Sequence, residues 1–162
     1  ISDELLRWKL ENDLLPIGPM IKEAISLINS SYLNSIKITP TVNNLKWYIE
    51  TTKDKLGLIR NVLDITKEKV NDKVVYSLVL RIRTLYTILK LINNEKYSKK
   101  EFVRLIEKIS GTTKVYDSYV LVKNNLEKDA VCTKEEAEKL YTYLANQLKK
   151  VIILLKKNLK HR

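Results

Sequence analysis

Glycine and proline are scarce in this chain, with three of each among 162 residues. A β-sandwich or an α/β fold of this length needs more glycines at its turns, so an all-α fold is the first inference. Gly18, Gly57 and Gly111 also lie far apart, which excludes a glycine-rich phosphate loop and with it the P-loop and dinucleotide-binding folds. Cysteine and histidine occur once each, as Cys132 and His161. A lone cysteine excludes an internal disulfide framework and fits a reducing, cytoplasmic setting. With a single histidine beside it, no zinc site is expected, and no cofactor either. No catalytic motif is found, so no catalytic residue is assigned and the expectation leans away from an enzyme.

Long uncharged runs are missing too. The longest falls well short of the roughly 18 residues that a membrane span needs, so no transmembrane segment is expected. The first fifteen residues, ISDELLRWKLENDLL, contain four acids and read as an amphipathic helix, not a secretory signal. The chain opens on isoleucine, which leaves room for an upstream region that holds chemistry of its own.

What is present suits a soluble globular fold: 44% apolar and 30% charged residues, enough for one domain over 1–162 with a single core. The formal charge is +11, and residues 139–162 hold seven lysines and arginines with no acid. Acidic partners follow from that imbalance: nucleic acid, phosphorylated ligands, an acidic protein or an anionic membrane surface.

About six to seven helices are expected. Ser2 caps the first, with Asp3 and Glu4 favoured by the helix dipole. Pro16 and Gly18 end it, and Pro19 opens a second helix that runs to about Leu33. The segment NSIKITPT, 34–41, is a linker that sets off a possible N-terminal subregion, 1–36. From Thr41, read as the N-cap, apolar residues recur at Leu45, Tyr48, Ile49, Leu56, Ile59, Val62 and Leu63 with helical spacing. Gly57 inside this helix marks a close helix–helix approach or a bend. Asn71-Asp72 breaks the chain before the next helix. In YSKKEF, 97–102, Ser98 and Glu101 form a capping box and Tyr97 and Phe102 a hydrophobic staple, with Gly111 as the C-terminal cap of a helix over 99–109. A helix over 113–123 follows, then a turn at Asn124-Asn125. A second capping box, Thr133 to Glu136, opens a last helix to about Leu159.

Two features stand out as candidate sites. The segment YSLVLRIRTLYTILKLI, 76–92, is apolar nearly all round, with Val75, Leu78, Ile82, Leu85, Tyr86 and Leu89 on one face, yet it holds Arg81 and Arg83. Neither arginine has a carboxylate three or four residues away, so an acid from another helix is expected to neutralise at least one of them. The alternative is that they line a ligand pocket for phosphate or carboxylate, which the planar guanidinium suits. The second feature is the last helix. Lys149, Lys156 and Lys160 share one side, with Lys150 and Lys157 beside them, and Leu144, Leu148, Val151, Ile152, Leu155 and Leu159 lie opposite. This face is either a solvated surface or a seat for a nucleic-acid backbone, DNA or RNA. The carboxylate pairs Glu50/Asp54 and Asp64/Glu68 have the spacing of a metal-binding helix face but lack the Glu-x-x-His pair, and a solvated face is expected. Cys132 reads as a packed side chain.

The stretches LRIRTLYTILKLI, YSKKEFVRLIEKISG, VYDSYVLVKNN and KEEAEKLYTYL carry a further signal. From about Val74 to Lys150 the chain resembles the helical C-terminal region of archaeal minimal nucleotidyltransferase-like proteins. In that family the chemistry belongs to an N-terminal domain with a Gly-Ser motif and metal-binding aspartates, and residues 1–73 have neither. The resemblance therefore implies an accessory or substrate-side helical module. Residues 99–123 also look like a helix-turn-helix, although Glu107 and Asp117 depart from the small and apolar residues that such a motif places there. The reading from sequence is a non-catalytic basic helical module that binds an anionic partner. Its alternative is a structural or protein-interaction bundle.

Overall fold

The computed structural model describes residues 1–126 and 131–160, with side chains to residue 157. Among these residues there are eight helices and no strand: α1 Asp3–Asn12, α2 Leu14–Glu23, α3 Ser30–Ser35, α4 Lys46–Ile65, α5 Asp72–Ile92, α6 Lys99–Ser110, α7 Lys114–Lys123 and α8 Lys134–Lys160. The all-α expectation holds. One helix more than expected arises because the segment after Pro19 divides.

The correction lies between residues 12 and 35. Pro16 does not end a helix but sits in the first turn of α2, where the missing N–H would have no intrahelical partner in any case. Asp13, with φ −149° and ψ 69°, makes the break between α1 and α2. α2 stops at Glu23, and a separate short helix starts after Asn29, whose left-handed backbone (φ 56°) and side-chain oxygen cap it. The end of the segment read as a linker is bonded to Asn44 at Thr39 and Thr41. Asn44 donates through Nδ2 to the carbonyls of Leu10 (2.7 Å) and Thr39 (2.9 Å), and Leu14 N donates to Asn44 O at 3.1 Å. Thr41 exchanges bonds with Asn44 in the turn before α4, and the N-cap position of α4 is Leu45.

The other helix ends follow local chemistry. Ser2 Oγ accepts from Leu5 N at 3.2 Å and Ser98 Oγ from Glu101 N at 3.2 Å. Gly111 closes α6 with φ 81°. The box at Thr133 is complete: Glu136 N donates to Thr133 Oγ1 (3.2 Å) and Thr133 N to Glu136 Oε2 (2.8 Å). At Ser98 only half of it forms, because Glu101 accepts instead from Tyr86 OH at 3.0 Å and pairs with Lys90 at 3.0 Å. Tyr97 and Phe102 meet as the staple predicts, ring centroids 6.4 Å apart.

Buried side chains of α2 and α4 to α8 form one cluster. Its axis is α5, which packs against α2, α4, α6, α7 and α8. Val75, Leu78, Ile82 and Leu85 are buried as the periodicity implies, and Val79, Ile88 and Leu91 join them. Burying apolar side chains such as these contributes roughly 1.5–3 kcal/mol each, which is what holds the elements together. A clip joins the starts of α5 and α8: Val70 N donates to Cys132 O (2.9 Å) and Lys134 N to Glu68 O (2.8 Å). Beside it the buried Asp72 carboxylate accepts from Ser118 Oγ of α7 at 2.7 Å. Cys132 is fully buried here, and burial pushes its thiol up to about 12, so it packs and stays protonated.

Candidate functional site

α4 and α8 lie side by side and run antiparallel, which follows from two sets of contacts. Near the start of α8, Arg60 grips Glu138 through Nη1–Oε2 (2.7 Å) and Nη2–Oε1 (2.6 Å), while its Nε donates to Asp64 Oδ1 at 2.8 Å. Toward the other end, Lys46, Glu50 and Lys53 of α4 share a cavity of about 200 Å³ with Ile152 and Lys156 of α8. Ile49 and Val42 also line it. The spacing explains the arrangement. Positions 46, 49, 50 and 53 recur at three to four residues and so share one side of α4, and positions 149, 152 and 156 do the same on α8.

Four of the five lysines read from the sequence, Lys149, Lys150, Lys156 and Lys157, are exposed and make no ion pair among the described residues. Lys160 ends α8, and its side chain lies outside the described residues, as does His161. The opposite face is used for packing: Leu144, Leu148, Val151 and Leu155 are buried. Ile153 is exposed between the two lysine pairs. Lys46 and Lys53 were not legible as partners of this face, since only the antiparallel pairing of α4 with α8 brings them there. Glu50 works against them, with Lys46 Nζ 3.9 Å from its Oε1. Around this cleft three lysines and one glutamate leave two positive charges.

The expected acid partner of Arg81 or Arg83 is absent among the described residues. Arg81 Nη1 donates to Thr51 Oγ1 of α4 at 3.1 Å, and its buried Nε has no hydrogen-bond partner. Burial with nothing to offset it lowers the Arg81 pKa from the ordinary arginine value. The reason is register: Thr51 faces α5, which leaves Glu50 on the α8 side and Asp54 exposed. Arg83 lies over the Tyr97 ring, 5.4 Å from its centroid, and Nη1 donates to Tyr119 OH at 3.4 Å. Burial opposes its charge, yet the tyrosine oxygens more than offset this and its pKa is raised. These rings belong to a connected set in which Tyr76 stacks on Tyr119 at 5.2 Å and Tyr116 sits 5.7 Å from Tyr119. Tyr97 showed in the sequence only as a staple.

The remaining constellations resolve simply. Asp64 is held by Arg60 and Glu50 faces Lys46. No group of three His, Cys, Asp or Glu side chains that could hold a metal occurs among the described residues. No described helix is long and apolar enough to cross a membrane. α6 and α7 do follow one another through the left-handed Gly111, with Asp117 exposed on α7. Comparison with protein-family models, with curated proteins and with solved structures gives no match.

Proposed function

We propose that the protein is a non-catalytic helical module that binds the phosphate backbone of a nucleic acid, DNA or RNA, along the ledge formed by α4 and α8, in a cytoplasmic setting. The observation that carries this reading is the convergence of Lys46 and Lys53 with Lys156 around one cleft, continuous on α8 with the unpaired Lys149, Lys150 and Lys157. Lysine suits phosphate as a point charge with no fixed fork geometry, so the surface positions a backbone and reads no base. No aromatic ring lines this cleft, which favours backbone contact over base stacking. The resemblance to the helical region of nucleotidyltransferase-like proteins supports the same role, that of holding a nucleotide-bearing substrate for a catalytic domain.

Fluorescence anisotropy with duplex DNA, single-stranded DNA and RNA tests it, starting near about 50 mM salt. The affinity should fall steeply with salt and vary little with sequence. Replacing Lys53, Lys149 and Lys156 with glutamine should make the salt slope shallower by about 0.9 for each lysine that touches duplex phosphate. Glu50→Gln should tighten binding. No binding to any of the three nucleic acids ends this reading.

A second reading, a protein-interaction bundle, is favoured by one observation. Trp47, Leu58 and Ile65 are exposed on α4, and Ile25, Leu27 and Ile28 are exposed between α2 and α3. Such side chains are costly to leave in water when they are grouped.

A further inference from the structure

A cavity of about 460 Å³ lies between α2 and α5 and shares no lining residue with the lysine ledge. α2 supplies an apolar wall of Leu15, Pro16, Pro19 and Met20, and α5 supplies Leu80. Its polar side is made by Arg83, Thr84 and Thr87 of α5 and by Tyr97. The two threonines donate their hydroxyls to the carbonyls of Leu80 (3.0 Å) and Arg83 (2.9 Å). Their protons are thus committed, and Arg83 is the main donor left to a guest.

Arg83 is poorly satisfied for a half-buried cation. Of the five N–H donors of a guanidinium, only a minority are engaged, by the Tyr119 hydroxyl at 3.4 Å and by the Tyr97 hydroxyl. The Tyr97 ring also lies under the guanidinium, 5.4 Å from its carbon, and helps to hold it in place. No carboxylate reaches Arg83 among the described residues, although Glu23 also lines the cavity. A cation preset by aromatic contact, with open donors facing a mostly apolar hollow of ligand size, is the make-up of a site for an anion with an apolar body. Charge narrows the class. Among the described residues Arg83 is the only cation lining the cavity and Glu23 the only acid, so a polyanion such as a triphosphate would meet Glu23, whereas a single negative charge is matched by Arg83.

We propose that this cavity binds a small organic monoanion, a carboxylate on an apolar body, with the carboxylate on Arg83 and the apolar part against Leu15, Pro19 and Leu80. Octanoate is the probe, titrated into the protein and followed by NMR shifts of α2 and α5 amides. Octanol, octylammonium and inorganic phosphate serve as controls. Octanoate should give a saturable shift, with octanol and phosphate alone each much weaker and octylammonium weakest. Arg83→Gln should weaken octanoate by about ten- to a hundredfold, the loss expected for charge-assisted hydrogen bonds, while octanol is unaffected. Met20→Trp, at the exposed mouth, should weaken octanoate without touching the core, and it decides the matter should Arg83→Gln fail to fold. Octanol binding as tightly as octanoate, phosphate alone matching octanoate, no saturable shift, or octanoate indifferent to Met20→Trp would each overturn the proposal.

Discussion

A β-carbon placed on Gly18 would lie 3.2 Å from Leu91 Cδ1 and 3.3 Å from Leu14 Cδ1 and Cγ. α2 is therefore seated on the C-terminal part of α5 through bare backbone. Gly57, in the middle of α4, meets nothing within 4 Å. The two glycines should respond to alanine in opposite ways. Gly57→Ala should stabilise the protein by about 0.5–1 kcal/mol, the helix-propensity gain with nothing to oppose it. Gly18→Ala gains the same propensity but crowds two leucine side chains, and overpacking of this kind costs about 1–3 kcal/mol. Urea midpoints of the two variants check this. Equal stabilisation by both would show that the α2–α5 contact tolerates a methyl group.

Arg81 offers a test of the arginines in the apolar helix. Its one hydrogen bond is to Thr51, and its Nε is buried without a partner. Arg81→Met keeps the stem packed and removes a cation that no acid neutralises. Stability should be unchanged or rise by about 1–2 kcal/mol, since replacing buried charge with apolar bulk is often neutral or favourable. Thr51→Val should instead cost about 1–3 kcal/mol, because it strips the guanidinium of its acceptor. Chemical denaturation of both variants separates the cases. A loss above about 2 kcal/mol in Arg81→Met would contradict the unpaired state seen here.

Asp3, Asp13, Glu101, Glu135 and Glu138 are all held below the ordinary carboxylate range, and acid sensitivity should concentrate at the least exposed two, Glu138 and Asp13. Hydrogen bonds from the Arg60 guanidinium hold Glu138 below the ordinary glutamate range. Lys9 Nζ, at 2.7 Å, with the Tyr48 hydroxyl at 2.9 Å, does the same for Asp13. In the unfolded chain these groups take up protons first as pH falls. Their contribution is therefore complete above the ordinary carboxylate values of about 4 and is lost as pH falls through the depressed folded values. Arg60→Gln should lower stability near neutrality by about 1 kcal/mol or less, as befits a partly solvated pair. The gap to the parent protein should close below about pH 4. A gap that persists or widens in acid, in urea titrations run at a series of pH values, would assign the Arg60 effect to packing on Tyr141, whose ring centroid lies 5.1 Å away.

The helices that were legible in the sequence are those with strong end signals. Ser2, Ser98, Gly111 and the Thr133/Glu136 pair act through bonds within four residues, so local sequence contains all of the information. The buried faces of α4, α5 and α8 were legible for a similar reason, since three-four spacing of apolar residues survives in any tertiary setting. The α1–α3 region was not. Proline marks the first turn of a helix and its end with the same residue, and at Pro16 the break at Asp13 decides for the first turn. The close approach that was one of two readings for Gly57, the other being a bend, falls to Gly18 instead. At the candidate sites, the exposed lysines of α8 followed from its spacing. Lys46 and Lys53 did not, nor did the tyrosines around Arg83, because nothing local says which helices become neighbours. The absence of an acid at Arg81 depends on α4 presenting Thr51 in place of Glu50 or Asp54, a matter of one residue in rotation about the helix axis.

The position of α5 fixes the order in which the protein comes apart. α2, α4, α6, α7 and α8 all lie against it, whereas α1 packs on α2 and, among the described residues, α3 has no extensive partner. Amide hydrogens of α5 between Leu78 and Leu85 can meet solvent only when several neighbours leave together, so their exchange rates report the global unfolding free energy. Those of α3 exchange through local fraying, and a protease would find the chain between α2 and α3 long before it reached the core. α5 should thus be the last element to lose protection and α3 the first, a gradient that hydrogen exchange read by NMR would show directly.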